Sequence, residues 1–336
     1  AGVTGTNAPA GLQAAKDAVI AGTTTVVGIQ DKVDATMIIA ALEKRFTMLH
    51  DDAVYVTTNH KAQAKYVAEL PESELIFTGM SFKYTDNKPI PPGWGTFLLG
   101  PLAWTPEAKN NVKRMIGQIG FVINTEEFKD RFNTAGTDKF NPAAFAGGSP
   151  GFGAKIPPKN YSIFRATVQK QMKDWKTNPH NHFDSYDLSV YQTTVGGNAY
   201  GLQKIPSVFL KRSDMEDTKT LHHNASLLLH EFTHTFGYSH TNFSNLTPNN
   251  VPYYVQAITW DNGMKIDEGC KIFMSAGNWS RGAWLPKREC SYLGKDQDPT
   301  THPTMTPQEV SRVNLFARFF GNSDVTKRKG GVSWKP

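Results

Sequence analysis

The apolar residues of this chain recur with the period of an α-helix in four long stretches, each of which predicts a helix packed against a core. The first spans Asp34–Leu49, and its apolar face consists of Met37, Ile38, Ala41, Leu42, Phe46 and Leu49. The second follows Thr105-Pro106-Glu107, an N-cap with proline at the first helical position, and carries Ala108, Val112, Met115, Ile116 and Ile119. The third spans Tyr161–Trp175 and carries Phe164, Val168, Met172 and Trp175. The fourth follows the capping box Thr306–Glu309 and carries Val310, Val313, Phe316, Ala317 and Phe320.

Shorter runs rich in β-branched and aromatic residues predict strands between these helices. The predicted strands are Thr23–Ile29, Ala53–Thr58, Leu75–Tyr84, Tyr186–Thr194 and Ser207–Arg212. Gln63–Val67 and Val251–Ile258 predict short helices, and the pattern over Val122–Phe132 leaves strand and helix both open. This mixture of elements predicts an α+β fold.

A run rich in proline and glycine, Asn87–Gly95, marks the preferred domain boundary. We expect a small α/β lobe over residues 1–95, a catalytic domain over 96–325 and a basic tail over 326–336. The lobe carries no catalytic motif, and its sequence leaves a propeptide, an exosite and a docking role all open.

The segment Leu227–His240 carries the strongest chemical signal in the chain. His230 and His234 lie four residues apart, so on a helix both imidazoles project from one face and can bind one metal ion. Glu231 lies beside the first histidine, where a carboxylate can act on a water without occupying a metal position. Gly237 can end the helix in a left-handed turn that brings His240 round as a third ligand. Three imidazoles leave one tetrahedral position open, as in a catalytic zinc site.

These residues resemble the signature of the metzincin clan of zinc endopeptidases, His-Glu-x-x-His-x-x-Gly-x-x-His followed by a methionine-containing turn. The resemblance is close over Ala225–His240 and looser over Lys271–Gly277, and beyond these segments it is only topological. It implies a mixed twisted sheet, a backing helix, an active-site helix and a C-terminal helix. It also implies peptide hydrolysis with Glu231 as general base and acid, and a sheet edge in the Tyr200–Arg212 region that pairs with extended substrate.

The resemblance implies further residues around the site. Met274 is the methionine expected to pack under the three imidazoles, and Met264 is its rival. Some members of the clan place a tyrosine ligand two residues after this methionine, whereas this chain has Ala276. Tyr253 and Tyr254 are candidates for a zinc or oxyanion contact, with an ordinary packed aromatic as the alternative for each.

Composition narrows the remaining choices of cofactor, partner and compartment. The formal charge is +6, but the basic residues are scattered along 336 residues, so a nucleic-acid partner is not expected. No apolar run is long enough to predict a membrane span. Cys270 and Cys290 predict a disulfide, and hence a secreted or extracellular protein, with two free thiols as the alternative. A calcium site over Asp261–Glu268 is an alternative to which we do not commit, and the oligomeric state stays open.

The sequence therefore predicts a zinc-dependent endopeptidase that acts on protein or peptide substrates. One alternative is a zinc hydrolase of non-peptide amides. Another is a binding or toxin-like protein with a vestigial zinc site, although the presence of Glu231 argues against it, because holding a metal does not require that residue. A latent zymogen, activated by cleavage near Asn87–Gly95, is a third.

Overall fold

The computed structural model describes residues 26–134, 158, 160–180, 182–194, 199–202, 204–239, 251–259 and 315–320. Within these ranges the helices are α1 Val26–Phe46, α2 His50–Asn59, α3 Lys61–Glu69, α4 Pro106–Val122, α5 Glu126–Thr134, α6 Tyr161–Thr177, α7 Arg212–Glu216, α8 Leu221–Thr235, α9 Val251–Thr259 and α10 Leu315–Phe320. The strands are β1 Ser81–Thr85, β2 Leu98–Leu102, β3 Ser185–Thr194, β4 Ala199–Gly201 and β5 Ser207–Lys211. This confirms the predicted α+β class.

The described strands form one mixed sheet around β3. On one side of β3, β1 pairs in parallel with Ser185–Ser189, and β2 continues antiparallel along the rest of the strand. On the other side β5 pairs in parallel with β3, and β4 pairs antiparallel with β5. The described part of the sheet therefore ends at β4, and β5 lies in its interior. The predicted substrate-pairing edge at Tyr200–Arg212 was partly wrong, because both sides of β5 are already paired.

Alternating residues of the sheet supply two apolar clusters. Tyr186, Leu188 and Val190 of β3 face the large core that also contains the helices. On the opposite face Tyr191 and Phe209 form a smaller cluster, together with Leu98 and with the partly buried Ile90, Trp94, Tyr200 and Leu202. One face of the sheet thus carries the main core, and the segment that includes Ile90 and Trp94 packs against the other.

Two predicted helices begin at side-chain caps, and the sequence predicts the one at Thr105. The Thr105 hydroxyl accepts a hydrogen bond from Ala108 N at the start of α4, and all five residues of the predicted stripe are buried. The Asn160 side chain accepts from Ile163 N at the start of α6, and its predicted apolar face is also buried. The predicted helices near Gln63–Val67 and Val251–Ile258 correspond to α3 and α9. Of Val122–Phe132, most lies in α5.

Two predicted strands in the first hundred residues are wrong. Val26–Ile29, the described part of Thr23–Ile29, lies in α1, and Ala53–Thr58 lies in α2. Helix α2 places Ala53, Val56 and Thr57 on one buried face, which outweighs the preference of β-branched residues for strands. Asp52 in its first turn is 2% exposed and is held by Arg114 of α4 with N–O distances of 2.7–3.1 Å.

The predicted strand Leu75–Tyr84 is correct only over its last residues, because β1 begins at Ser81. Ile76 lies before it and makes strand-like hydrogen bonds with a side chain. Its N–H donates to Asn124 Oδ1 at 3.0 Å, and its carbonyl accepts from Asn124 Nδ2 at 2.9 Å. Both backbone polar groups of Ile76 are therefore satisfied without a partner strand.

Elements from the first hundred residues share the main core with the helix that carries the two histidines. Helix α1 packs against α4, and α4 packs against α8. The Phe77 ring lies 4.6 Å from the Phe232 ring of α8, measured between centroids. The described part of residues 1–95 consists mainly of helices α1 to α3 and strand β1, and β1 pairs with β3 of the later sequence. The boundary at residue 95 stays a prediction.

Candidate metal centre

Helix α8 carries His230, Glu231 and His234 in its C-terminal half. Leu228, Leu229 and Phe232 of this helix are buried in the main core. The helix packs against α4, α9 and strand β4, so neighbouring elements lie on several of its sides. A helix enclosed in this way is held in position by its packing, and its functional side chains project from a fixed backbone.

The side chains of His230, Glu231 and His234 meet in one buried cluster. One ligand atom from each lies within 4.8 Å of the others. The two imidazole rings are 5.1 Å apart between centroids and inclined at 72°. Two nitrogens bound to one tetrahedral zinc ion lie roughly 3.3 Å apart, given Zn–N bonds of about 2.0–2.1 Å. The spacing of this cluster is close enough that small side-chain rotations would bring both nitrogens onto one ion.

A backbone carbonyl fixes the orientation of the His234 ring. His234 Nδ1 lies 2.8 Å from the carbonyl oxygen of Tyr238. Because a carbonyl can only accept, Nδ1 must carry the proton, and Nε2 keeps its lone pair for a metal. Burial lowers the pKa of His234 to about 4, against an opposing effect of this hydrogen bond, so the ring is neutral at pH 7. Neutral imidazole is the form that binds zinc.

The turn that supplies this carbonyl depends on Gly237. Its φ angle is 100°, in the region that glycine adopts without a steric penalty. Gly237 N donates to His234 O and Tyr238 N donates to Thr233 O, so the chain folds back over the last turn of α8. The Tyr238 ring is buried and stacks on Phe164 of α6 at a centroid distance of 5.9 Å. Helix α6 thereby supports the residue whose carbonyl orients His234.

Glu231 is 4% exposed and hydrogen-bonded to the sheet. Its Oε2 accepts from the backbone N–H of Gly201 at 2.6 Å, and its Oε1 lies 4.0 Å from His230 Nε2. Burial raises the pKa of Glu231 to about 8, and the Gly201 N–H opposes that rise by favouring the charged carboxylate. The carboxylate is therefore close to the histidines, and one of its oxygens is committed to a donor.

Two groups of this site escaped the sequence analysis, the N–H of Gly201 and the carbonyl of Tyr238. Both belong to the backbone, so no residue-type motif records them. The only signal for Gly201 is a glycine inside a strand-forming segment, which often marks a close backbone approach. That signal is too general to identify the partner.

Aromatic packing and one buried hydroxyl pair set the position of α8 on the sheet. The Phe232 ring lies 5.0 Å from the Tyr186 ring of β3, measured between centroids. The Tyr186 hydroxyl lies 2.6 Å from Thr235 Oγ1 of α8, and Thr235 Oγ1 also donates to the Phe232 carbonyl at 2.6 Å. Because the Thr235 proton is used in that bond, the Tyr186 hydroxyl is the donor between the two. Burial raises the pKa of Tyr186, so this hydroxyl keeps its proton.

The structure places the two candidate tyrosines on helix α9. The Tyr254 side chain is buried, its hydroxyl donates to the Phe132 carbonyl at 2.6 Å, and its ring meets the Phe132 ring at 78°. These contacts are those of a packed aromatic, which was the alternative reading of this residue. Tyr253 lies in the same helix, and its predicted contact stays a prediction.

Several predicted site residues lie outside the described residues. They are His240, Met274, the cysteines Cys270 and Cys290, and the segment Asp261–Glu268. The third zinc ligand, the methionine turn, the disulfide and the calcium alternative therefore stay predictions. Gly237 and its turn, which precede His240, are described and have the conformation that the motif predicts.

Comparison with known proteins adds no assignment. No protein-family model matches the chain, and neither a curated protein nor a solved structure does so. Within the described ranges, no helix combines the length and apolar character that crossing a membrane requires. We therefore infer the function from the side chains of the site and their surroundings.

Proposed function

We propose that this chain is a zinc-dependent endopeptidase. The observation that supports it most is the cluster of His230, Glu231 and His234 on one helix, all buried and with their ligand atoms within 4.8 Å of one another. Buried polar side chains are costly unless they have partners. A structural role for the helix alone would not require two histidines and an acid on one face, whereas a metal-dependent hydrolase does.

His230 and His234 would hold the metal, and His240 is the third ligand that the motif predicts. A zinc ion bound there would polarise a water molecule and the scissile carbonyl as a Lewis acid. The described site favours zinc because imidazole nitrogen is a preferred zinc donor, and because the hydrogen bond from Nδ1 of His234 to the Tyr238 carbonyl leaves Nε2 as the nitrogen with a lone pair. Such an orienting partner is typical of histidines that bind metals.

Glu231 would perform the proton transfer. Its carboxylate accepts a proton from the water that attacks the peptide carbonyl and then gives this proton to the leaving amine. Burial of Glu231 favours this role, because it raises the pKa of the carboxyl group towards the operating range of a general base. A residue that only bound the metal would not need this position beside His230.

Strand β4 supports a peptide as the substrate class. It lies at the end of the described sheet and packs directly against α8. An extended peptide that pairs with such a strand would lie beside Glu231, and the backbone hydrogen bonds would select chains over small amides.

The test combines metal analysis with peptidase assays. We expect about one zinc ion per purified chain and cleavage of casein or of a proteome-derived peptide library. 1,10-Phenanthroline should abolish cleavage, and added zinc should restore it. Cleavage of simple amides but not of peptides would instead favour a zinc hydrolase of non-peptide amides.

Replacing Glu231 separates catalysis from metal binding. Glu231→Ala should retain zinc and fold but lower kcat about 10²- to 10⁴-fold, the range that general base catalysis contributes. Glu69→Ala, at a carboxylate that is 64% exposed, is the matched control and should behave as wild type. Full activity in Glu231→Ala, or a purified protein without stoichiometric zinc, would refute the proposal.

A further inference from the structure

At the edge of the described sheet, a backbone N–H donates a hydrogen bond to a side chain of the site helix. Immediately after β4, Leu202 N donates to Ser207 O at the start of the adjacent strand β5. Backbone donors alternate in direction along an antiparallel pair, so the N–H of Gly201 points away from β5. It donates to Glu231 Oε2 at 2.6 Å. A donor that would otherwise be available to an added strand is thus committed to the catalytic acid.

Residue 201 has to be glycine because a side chain would not fit there, and not because of its backbone conformation. A Cβ atom at Gly201 would lie 2.2 Å from the Glu231 carbonyl oxygen and 3.2 Å from His234 Cβ. The first of these is far below van der Waals contact, and the atom it meets belongs to the helix backbone, which cannot rotate away. Gly201 does not have a positive φ angle, so only the close approach demands glycine.

We propose that Gly201 is a positioning residue for the proton transfer, through its N–H. The inference rests on the proposed peptidase function and assigns different tasks to the two carboxylate oxygens of Glu231. Oε2 is held by the Gly201 N–H, which leaves Oε1, 4.0 Å from His230 Nε2, to accept the proton. One O–H bond of the attacking water breaks and one Oε1–H bond forms. The same proton then passes to the leaving nitrogen, so Glu231 ends as it began.

A second consequence concerns the substrate. While Oε2 occupies the Gly201 N–H, this donor cannot also bind a peptide carbonyl. An extended substrate along β4 therefore lacks one ladder hydrogen bond at the position nearest to Glu231. The N–H contributes to the rate of the chemical step and not to substrate affinity, and this makes the two roles separable by kinetics.

The direct test replaces the N–H alone. Cell-free translation of the full chain with glycolic acid at position 201 substitutes an ester oxygen for the N–H without adding a Cβ atom. We expect kcat to fall about 10- to 100-fold, as misplacement of a catalytic group does, with KM unchanged within about twofold and zinc stoichiometry unchanged. A raised KM with wild-type kcat would overturn the inference, because the N–H would then bind substrate. Wild-type values for both constants would overturn it as well.

A second measurement needs no activity. In protein treated with EDTA, the ester should lower the Tm by roughly 1–4 °C, as expected when a buried acceptor loses its hydrogen bond in a chain of this size. In the Glu231→Ala background the same ester should shift the Tm much less, because the acceptor is gone. Equal shifts in both backgrounds would overturn the inference even if the protein cleaves peptides. A larger Tm shift in the wild-type background than in Glu231→Ala, found together with a wild-type protein that cleaves no peptide, would support the hydrogen bond and contradict the proposed peptidase function.

Side-chain variants provide an independent check. Gly201→Ala should lower kcat at least as much as the ester does, because its Cβ must push the strand and the helix apart. Gly95→Ala is the matched control, since a Cβ there would meet nothing within 4 Å, and it should keep wild-type activity. Wild-type kcat in Gly201→Ala would overturn the inference.

Discussion

Acidification should destabilise this protein through His222, a buried histidine in the first turn of the site helix. Its side chain is 3% exposed, and in the described part of the chain its Nδ1 has no hydrogen-bond partner. Burial and, to a smaller extent, the positive charge of Arg114 together lower the pKa of His222 to about 3. The N-terminal end of a helix also disfavours a cation. His222 therefore stays neutral in the folded protein over most of the acidic range.

The size of the effect follows from proton linkage. In the unfolded chain this histidine has an ordinary pKa of about 6.5, so between that value and about 3 only the unfolded state binds the proton. Because the unfolded state binds more protons in this window, stability rises with pH and is lost as the pH falls below about 6.5. At pH 4.5 the unfolded state gains about 3 kcal/mol from this one group relative to pH 7.5.

The variant His222→Phe isolates this contribution, because phenylalanine fills a similar volume and does not titrate. Urea unfolding at pH 7.5 and at pH 4.5 gives the free energy of unfolding of both proteins. EDTA is present in each measurement, so that the release of a bound metal does not contribute to the result. The stability of the variant relative to wild type should increase by about 3 kcal/mol from pH 7.5 to pH 4.5. His180→Phe, at an exposed turn, controls for the replacement itself. If the free energies of unfolding of His222→Phe and wild type differ by the same amount at both pH values, the titration of His222 does not account for the acid sensitivity and the reasoning is refuted.

Two further predictions concern the contacts that hold α8 on the sheet, and both are measured by urea unfolding. Phe232→Ala should lower the free energy of unfolding by about 3–5 kcal/mol, because the ring is fully buried between Phe77 and Tyr186. The control Phe97→Ala, at a residue that is 40% exposed, should lower it by less than about 1 kcal/mol. A small loss in Phe232→Ala would contradict this packing. Thr235→Val should lower the free energy of unfolding by about 1–3 kcal/mol, because it leaves the buried Tyr186 hydroxyl without its acceptor. Tyr186→Phe removes the donor itself and should cost only about 1 kcal/mol. The reverse order would contradict the assigned donor direction.

Helices whose signals are local could be predicted from the sequence. For α4, the threonine cap, the proline after it and the apolar stripe all lie within the helix, and each has its expected place in the structure. Helix α6 is a second example, because its predicted apolar face is buried in the structure. In both cases local preference and burial favour the same conformation, so neither has to override the other.

Helix α2 could not be predicted in this way. Val54, Val56, Thr57 and Thr58 favour a strand by residue type, and only the tertiary contacts of the helix decide otherwise. One of these contacts joins Asp52 to Arg114, residues that are 62 positions apart. An acid in the first turn is compatible with a helix start, but its burial depends on a distant arginine that the local sequence does not reveal.

The same distinction divides the candidate site. His230, Glu231 and His234 are side chains on consecutive turns of one helix, so their spacing alone predicts that they meet. What the spacing cannot predict is which nitrogen of His234 faces a metal and which oxygen of Glu231 takes a proton. Those choices depend on the Tyr238 carbonyl and the Gly201 N–H, groups that every non-proline residue carries. A motif can therefore supply the reactive groups of a site, but their orientation comes from backbone atoms that only the folded chain brings within hydrogen-bonding distance.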